Sequence, residues 1–408
     1  MNVAEQIVGQ LVDAGVHHIY GIVGDSLNPI VDAVRKTGGS KKGGIDWIHV
    51  RHEEAAAFAA SAEAQLTGKL AVCAGSCGPG NLHLINGLYD ANRTGAPVLA
   101  IASHIPSVQI GSTYFQETHP DRIFEECSVY NELISSAAQS PRTVNSAIRH
   151  AVGLGGVAVI TLPGDVSDLK AVDHVPTYAP ARPATLAPNA ADIEEAAALL
   201  NKADKVAIFA GAGVEGAHDE VIALADALKA PIGHSLRGKN FIQYDNPFDV
   251  GMTGLLGYGA AAEGMSDADV LILLGTDFPY DQFLPSTPTI QVDTHAEKLG
   301  RRTDVGLAIH AQVKPFIEAL LPHLRQDRSD AFLTAKIKKH AEIMHAPVGA
   351  YTRNVEKMRP IHPEYAAHLL NETAAKDAIV TADTGMCNVW TARYIDPLGT
   401  RRLIGSLL

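Results

Sequence analysis

Short apolar runs of strand length alternate with segments of helical periodicity along most of the chain. Such alternation is typical of stacked βαβ units, whose strands form parallel sheets. In the first third it predicts strands at 18–23, 47–51, 70–74, 98–102 and 157–162, with helices that include 26–36, 53–67 and 80–93. The opening MNVAEQIVGQLV predicts an amphipathic helix, because it lacks the basic start and long apolar core of a signal peptide.

The alternation resumes after a proline-rich stretch at 171–188, which predicts a linker. The second segment is predicted to contain a helix at 190–200 and strands at 206–210, 231–235, 270–275 and 290–293. A third begins with helix 363–375, strand 378–381 and helix 387–394. A single parallel strand cannot satisfy its backbone hydrogen bonds alone. We therefore expect it to pair with residues beyond this sequence, to dock on an earlier sheet, or to fray.

The predicted fold class is α/β, with two doubly wound parallel-sheet domains and the first β–α segment of a third. The predicted boundaries are a first domain at 1–172, a linker at 173–188, a second domain at 189–325, a connector at 326–360 and a truncated third domain at 361–408.

Composition excludes several protein classes. The chain has 408 residues, of which 46% are hydrophobic and 19% charged, which excludes a disordered or collagen-like chain. A net charge of −12 argues against a nucleic-acid partner, since phosphate neutralisation needs clustered cations. No apolar run approaches the roughly 18 residues of a membrane span. The cysteines match no zinc spacing, so we interpret them as small apolar residues in a reducing cytoplasm.

Four glycine loops follow predicted strands, at 21–26, 75–81, 211–216 and 275–277. Glycine there lets backbone N–H groups approach a ligand, and the following helix N-terminus favours an anion. The loop at 211–216 matches the GxGxxG pattern of dinucleotide-binding domains, but His234 and Ser235 stand where the confirming acid should end the next strand. Any doubly wound fold uses glycine at such turns. Four in register favour ligand binding without identifying the ligand, and an NAD-linked dehydrogenase stays as an outside alternative.

A carboxylate pair, Glu53 and Glu54, stands at a strand-to-helix junction. The helix behind it carries small residues at 56, 57, 60 and 64, which would let a flat ligand or another helix lie close. The helix N-terminus favours an ionised carboxylate, whereas burial against alanines favours a protonated one, and the sequence leaves both open. Taken alone, the two acids are typical of solvated residues at a helix start, and His52 of a structural histidine.

Together, three segments resemble thiamine-diphosphate-dependent enzymes of the pyruvate oxidase and acetolactate synthase group. RHEEAAAFAASAEAQLTG is similar to that family's glutamate-bearing helix, GSCGPGNLHLINGLYDA to its S-x-GPG turn, and GSTYFQETHP to its F-Q-E substrate loop. The run at 71–120 looks most similar to the quinone-dependent pyruvate dehydrogenases, which are flavoproteins also called pyruvate oxidases. LRGKNFIQYDNPFDVGMTGLLGYG and LLGTDFPYDQF resemble the flavin-binding parts of their central domain.

The resemblance implies that the first domain binds the pyrimidine of thiamine diphosphate. Glu53 would hydrogen-bond N1′ of the aminopyrimidine, whereas Glu54 would not. Phe115 and Gln116 would face the substrate, with His83 nearby. The implied cofactor-binding positions are Gly24, Asp25 and Ser26 at the mouth of the site, and Gly78, Pro79, Gly80 and Asn81 in the glycine turn.

The resemblance also implies FAD in the second domain. The implied flavin contacts are Gly211, Gly213, Arg237, Gly251, Thr253, Gly254, Gly275, Thr276, Phe278 and Asp293. Asp383 and Gly385 resemble the first cofactor-binding turn of the third domain. The implied reaction is oxidative decarboxylation of pyruvate to acetate and carbon dioxide, with the flavin passing electrons to a quinone.

The sequence departs from the family where the diphosphate is bound. The family holds it through magnesium on a Gly-Asp-Gly turn followed by an asparagine, and this sequence contains no Gly-Asp-Gly. The family's cofactor-bending hydrophobic residue and its C-terminal membrane-binding segment have no counterpart either. We assign no metal ligand, expect magnesium only in a longer parent chain, and expect these 408 residues alone not to turn over pyruvate.

Several alternatives stay open. Acetolactate synthase shares the fold and the flavin, and an oxygen-dependent pyruvate oxidase would make acetyl phosphate. A non-catalytic flavin-binding fragment that pairs with an intact homologue is the alternative from another class. We expect a homo-oligomer, either dimer or tetramer, in the cytoplasm, with a peripheral inner-membrane location in a full-length form as the variant.

Overall fold

The computed structural model describes residues 1–173, 178 and 184–406. The chain divides into unit 1, Met1–Arg182 with Ser406–Leu408, and unit 2, Pro183–Gly405. The predicted linker at 173–188 lies largely outside the described residues. The finer division of the chain into five segments stays a prediction.

Unit 1 is an α/β unit with one parallel sheet. Its strands are β1 His18–Gly21, β2 Asp46–His49, β3 Ala71–Gly75, β4 Val98–His104, β5 Tyr130–Leu133 and β6 Val157–Pro163. Its helices are α1 Val3–Asp13, α2 Asn28–Lys36, α3 Glu53–Thr67, α4 Pro79–His83, α5 Ile85–Thr94, α6 Pro120–Ile123, α7 Ser140–Leu154 and α8 Gly164–Asp168. The strand order is β2-β1-β3-β4-β6-β5, and every pairing is parallel.

This sheet is covered on both faces. Every residue of β3, β4 and β6 is buried. Along β4, Leu99 and Ile101 enter one hydrophobic core, whereas Ala100 and Ala102 enter another. Because successive side chains of a strand point to opposite faces, the two cores lie on opposite sides of the sheet. The doubly wound arrangement predicted for the first domain is therefore confirmed.

Helix α3 packs closely against α5. Ala56, Ala57 and Ala60 of α3 are fully buried. A Cβ built on Gly87 of α5 would lie 2.5 Å from the Cβ of Ala57, so the two helices meet with no room for a side chain at that point. The small face predicted for α3 is thus occupied by another helix. This contact fixes α3, and with it the position of Glu53 at its first turn.

Unit 2 contains a second sheet. Its elements are α9 Ala190–Lys202, β7 Val206–Ala210, α10 His218–Leu228, β8 Ile232–His234, α11 Leu236–Ile242, β9 Asp249–Met252, β10 Tyr258–Gly259, α12 Ala261–Ser266, β11 Val270–Leu274, β12 Thr289–Asp293, β13 Leu307–His310, α13 Val313–Leu320, α14 Ala331–Ile343, α15 Pro363–Thr373, β14 Ile379–Ala382, α16 Met386–Tyr394 and β15 Arg402–Gly405. The order is β10-β9-β8-β7-β11-β12-β13, parallel apart from the β9–β10 pair. Ile208 and Phe209 enter different cores, so this sheet is also doubly wound.

The C-terminal residues of unit 2 form a small parallel sheet. Strand β14 pairs with β15, Ile379 lying opposite Arg402. None of the three expected fates of the strand at 378–381 is therefore right, because its partner lies within the same sequence. The apolar run within β15 is too short to predict a strand from the sequence. Asn240 of α11 fastens β15 by donating to the carbonyl of Leu403 at 2.9 Å and accepting from its N–H at 2.8 Å.

Several predicted elements differ in extent. The predicted helix at 80–93 is two helices, α4 and α5, separated at Leu84. The helix predicted at 26–36 begins with a 3-10 turn at Asp25–Leu27, and α2 starts at Asn28. Strands β5, β9, β10 and β13 were not predicted, because they are short or lie at sheet edges, where polar residues are tolerated.

No helix among the described residues has both the length and the apolar character to cross a membrane. Nor do those residues contain a group of three or more His, Cys, Asp or Glu side chains that could hold a metal ion.

Candidate functional site

In unit 1, the candidate residues follow the carboxyl ends of β1, β2, β3 and β4, where parallel strands place their following loops at one edge. Glu53 is the first residue of α3 and is only 7% exposed. Its Oε2 lies 3.1 Å from Nδ1 of His83 at the end of α4. The ring of His83 stacks on that of His52, with centroids 4.3 Å apart. The first α3 carboxylate is therefore held in a defined orientation by an imidazole.

The neighbouring acid faces outward. Glu54 is partly exposed and accepts a hydrogen bond from the side-chain amide of Asn86 at 2.6 Å. The Nδ1 of His52 caps α3 by accepting from the Glu54 N–H at 3.3 Å. Of the two adjacent carboxylates, only Glu53 is turned into the protein.

The glycine turn after β3 lies against the Glu53 carboxylate. A Cβ built on Gly80 would lie 3.2 Å from Glu53 Oε1, which is tighter than ordinary van der Waals contact. The next residue, Asn81, is fully buried and donates from Nδ2 to the Ser103 carbonyl at 2.6 Å. Its Oδ1 is buried without a hydrogen-bond partner among the described residues. Glycine at 80 thus keeps one carboxylate oxygen accessible beside a rigidly held turn.

A hydroxyl network joins this turn to the loop after β1. Ser26 Oγ lies 3.1 Å from Ser76 Oγ and accepts from the Cys77 N–H at 3.0 Å. Ser103 at the end of β4 donates to the Ser26 carbonyl at 2.6 Å. A Cβ on Gly24 would lie 2.4 Å from Ser76 Oγ, so only glycine fits there. The predicted loop residues Gly24, Asp25 and Ser26 are therefore brought to the glycine turn.

The predicted substrate loop reaches the same turn through Gln116. The side chain of Phe115 is 79% exposed, and Gln116 has a left-handed φ of 64°. A Cβ on Gly78, which itself has φ 72°, would lie 2.8 Å from the Gln116 Cβ. Cys77 Sγ donates to Gln116 Oε1 at 3.4 Å. Gln116 therefore packs against Gly78, which precedes Pro79 at the start of α4, and leaves no space for a side chain at position 78.

Buried polar groups surround this edge. His104, which follows Ser103, is 2% exposed, and its Nδ1 has no hydrogen-bond partner among the described residues. Burial lowers the pKa of His104, because it disfavours the charged imidazolium. The edge therefore combines one carboxylate, neutral hydrogen-bonding groups and close backbone.

In unit 2, the predicted flavin contacts lie at the carboxyl ends of β7, β9, β11 and β12. A Cβ on Gly211 would lie 2.3 Å from the Gly275 carbonyl oxygen, and the Gly213 N–H donates to that same oxygen at 2.9 Å. A Cβ on Gly254 would lie 2.8 Å from the ring of Phe278. The loops after β7 and β11 are thus packed backbone against backbone, and Gly254 in the loop after β9 lies against the ring of Phe278.

The loops that contain Gly211, Gly213, Gly254 and Gly275 are called the glycine edge below, and polar residues lie beside them. Thr253 is 3% exposed, and its Oγ1 has no hydrogen-bond partner among the described residues. Thr276 is also buried, and Gly251 has φ 90°. Asp293 ends β12 and accepts from the His295 N–H at 2.9 Å. The remaining predicted contact, Arg237, lies in the first turn of α11, next to β8.

Two predicted residues lie elsewhere. Asp383 and Gly385 follow β14 in the two-stranded sheet, not the seven-stranded sheet that carries the glycine edge. Asp383 Oδ1 accepts from the Thr384 N–H at 2.8 Å, and Gly385 has φ 134°. Their position does not join them to the other predicted unit 2 contacts.

Sequence reasoning missed residues that support the unit 1 site. Ser76 and Ser103 were not singled out, although they tie the loops after β1, β3 and β4 together. Glu117 belongs to the quoted F-Q-E segment but received no role. A polar residue near the end of a buried strand, as Ser103 is at the next-to-last position of β4, was the available signal.

Comparisons with known proteins agree with this architecture. Residues 1–123 match the family model "Thiamine pyrophosphate enzyme, N-terminal TPP binding domain", and residues 193–320 match the central domain of the same enzymes. An uncharacterised 42.6 kDa protein in the isoamylase 3′ region of Pseudomonas amyloderamosa is 54% identical over 337 residues, covering 82% of this chain and 84% of the relative. A putative thiamine pyrophosphate-containing protein, YdaP of Bacillus subtilis, is 36% identical over 395 residues, covering 96% of this chain and 67% of the relative.

Named enzymes are more distant. The pyruvate oxidase of Lactiplantibacillus plantarum is 31% identical over 406 residues, covering 97% of this chain but 65% of the enzyme. Acetolactate synthase large subunits match at 28–29% identity. The chain therefore spans about two thirds of the length of these enzymes. On the two family models and the 36% identity to the thiamine pyrophosphate-containing relative, the chain belongs to the thiamine pyrophosphate enzyme family.

Proposed function

We propose that unit 1 binds the aminopyrimidine of thiamine diphosphate and that unit 2 binds FAD. We further propose that they serve the oxidation of pyruvate, in which pyruvate, water and a quinone give acetate, carbon dioxide and quinol. When bound, FAD would supply the two-electron redox chemistry between pyruvate and the quinone. The observation that carries the proposal is the buried Glu53 carboxylate, oriented by His83 and left accessible by Gly80.

The residues of unit 1 fit the aminopyrimidine. When bound, thiamine diphosphate supplies the electron sink for decarboxylation. Glu53 would accept a hydrogen bond from a ring nitrogen and hold a proton at that atom, while His83 restrains the other carboxylate oxygen. Gly80 would leave room for a flat ring, because it places no Cβ beside Oε1.

The residues around that carboxylate would position the substrate. Phe115 exposes its ring and Gln116 its amide at the loop that contacts the glycine turn. An aromatic ring excludes water from a reacting centre, and an amide can orient a 2-ketoacid by hydrogen bonds. We assign both residues to the substrate side of the site.

The glycine edge of unit 2 fits a flavin nucleotide. Gly211, Gly213 and Gly275 carry no side chain, so the backbone of these loops allows the close approach of a nucleotide. The unpartnered Oγ1 of the buried Thr253 is a hydrogen-bonding group without a protein partner among the described residues. Such a group calls for a ligand atom or water.

The names of the enzyme relatives favour pyruvate as the substrate, and the 31% identity to a pyruvate oxidase favours oxidation as the reaction. The acetolactate synthases keep carboligation as the second candidate, in which no net redox change occurs. The two differ in one observable. In the oxidase, anaerobic pyruvate bleaches the flavin and a quinone restores its colour, whereas in the synthase the absorbance is unchanged after turnover. Acetyl phosphate formed only with phosphate present would instead indicate the oxygen-dependent reaction.

The experiment that tests the proposed binding site compares two adjacent carboxylates. Thiamine diphosphate is titrated by calorimetry into the wild-type chain, Glu53→Gln and Glu54→Gln. Loss of one charge-assisted hydrogen bond at a buried site weakens binding by about tenfold or more. We expect that loss in the Glu53 variant and wild-type affinity in the Glu54 variant, whose carboxylate faces Asn86. Equal affinity in the Glu53 variant and the wild type, or no binding by the wild type, would refute the assignment.

A further inference from the structure

The loop that carries Phe115 and Gln116 is folded around the carboxylate of Glu117. Glu117 Oε1 accepts from the Gly111 N–H at 2.5 Å, and Oε2 accepts from the Tyr114 N–H at 3.0 Å. The Glu117 N–H in turn donates to the Tyr114 carbonyl at 2.9 Å. These backbone donors lower the pKa of Glu117, because they bind its charged form, and the Gly111 N–H has the largest effect. The carboxylate therefore spans seven residues of an otherwise exposed loop.

The loop backbone needs such a restraint. Gly111, Thr113 and Gln116 have φ values of 88°, 60° and 64°, all in the left-handed region. Thr113 and Gln116 carry a Cβ, and the left-handed region is unfavourable for such residues. Hydrogen bonds to Glu117 flank both positions and offset that cost. Without these hydrogen bonds, we expect the loop to leave this conformation.

A second carboxylate fixes only the start of the loop. Asp165 Oδ1 accepts from the Ser107 N–H at 2.8 Å, and Oδ2 accepts from the Ser107 hydroxyl at 2.6 Å. That contact leaves residues 111–116 to the restraint from Glu117. The far end of the restrained segment reaches the glycine turn, where Cys77 Sγ donates to Gln116 Oε1.

We propose that Glu117 is a positioning residue, whose ionised carboxylate folds the loop so that Phe115 and Gln116 are presented at the glycine turn. What these two side chains then contact rests on the proposed function, but the folding of the loop does not. A glutamine at 117 keeps the size but replaces one oxygen with an NH₂ group, which would face a backbone N–H. Two donors cannot bond each other, so one of the two restraints is lost.

The thiol of Cys77 reports on this contact. The chain with Cys387→Ser is labelled with N-ethylmaleimide, and the label on Cys77 is followed by mass spectrometry. Cys73 and Cys127 are buried, and burial raises the pKa of their thiols to about 12 and about 11, which makes both unreactive. Release of Gln116 from Cys77 should therefore appear as faster labelling of this one thiol.

Three variants separate charge from bulk. Glu117→Gln should label at Cys77 roughly three- to tenfold faster than wild type. Glu117→Asp keeps the charge on a shorter side chain and should restore part of the protection. Glu125→Gln changes a nearby exposed glutamate that makes no contact with the loop carboxylate network, and should label at the wild-type rate. Amide exchange at Gly111 and Tyr114 should quicken most in Glu117→Gln, less in Glu117→Asp and not at all in Glu125→Gln, with an unchanged unfolding midpoint.

Labelling of Glu117→Gln at the wild-type rate would overturn the proposal. Equal labelling of the glutamine and aspartate variants would also overturn it, because the charge would then have no part in folding the loop. Both measurements need no cofactor. Failure of the thiamine diphosphate titration therefore refutes the proposed function and leaves the role of Glu117 in the loop to be decided by labelling.

Discussion

Replacing Gly87 with alanine should destabilise unit 1, although alanine is the better helix former. The new Cβ would lie 2.5 Å from the Cβ of Ala57 and 2.7 Å from the backbone N of Phe58. Carbon atoms pack best about 3.5–4.0 Å apart, so the overlap is about 1 Å and falls partly on backbone that cannot rotate away. Overpacking of this kind costs about 1–3 kcal/mol, against a helix-propensity gain of about 0.5–1 kcal/mol.

A matched control lies in the same unit. A Cβ added to Gly9 of α1 would have no atom within 4 Å, and Gly9 is exposed. Gly9→Ala should therefore keep the full propensity gain and stabilise the unit by up to about 1 kcal/mol. The chain has two tryptophans, so Trp390→Phe leaves Trp47 as a fluorescence reporter of unit 1. In urea titrations, Gly87→Ala at or above wild-type stability would refute the close packing of α3 on α5.

Two further predictions concern unit 2. Burial lowers the pKa of Lys239 from its ordinary value of 10.5 to about 8, and its Nζ donates to the carbonyls of Ala392 and Ile395. The unfolded state then binds more protons between these pH values, so the unfolding free energy should rise from pH 8 to 10.5 by up to about 3 kcal/mol. Urea titrations should show that rise in the wild type and not in Lys239→Met; a flat wild-type profile would contradict it. Gly211→Ala should lower bound FAD by about tenfold or more, because its Cβ would overlap the backbone of the loop after β11. Gly264→Ala should keep wild-type FAD absorbance, because its Cβ would make only ordinary van der Waals contacts, 3.7 Å from Cγ of Pro231. Full FAD content in Gly211→Ala would count against the glycine edge.

Buried central strands could be predicted from the sequence because they are continuous apolar runs. The strand predicted at 206–210 matches β7, and helix 53–67 matches α3. Edge strands could not be predicted, since β13, for example, alternates buried and exposed residues over only four positions. Strand β15 could not be predicted either, because its position depends on contacts with residues far away in the sequence, among them the hydrogen bonds from Asn240.

The candidate site was predictable in its residue types but not in its geometry. The sequence placed Glu53 and Glu54 together at a helix start, and only the packing of α4 beside α3 shows which of them is buried. Glu117 was hidden for another reason. Its partners are backbone N–H groups, which have no signature in the side-chain pattern. Gly78 was predictable as a turn residue, but its contact with Gln116, far along the chain, was not.

The most direct test uses thiamine diphosphate labelled with ¹⁵N at N1′ and bound to the chain. If the Glu53 carboxylate is the group that touches the coenzyme's pyrimidine, the ¹⁵N resonance will move from its free position on binding and will return toward it in Glu53→Gln, but not in Glu54→Gln. A bound resonance that is the same in all three proteins would show that another group receives the ring, and the assignment of this site would be wrong.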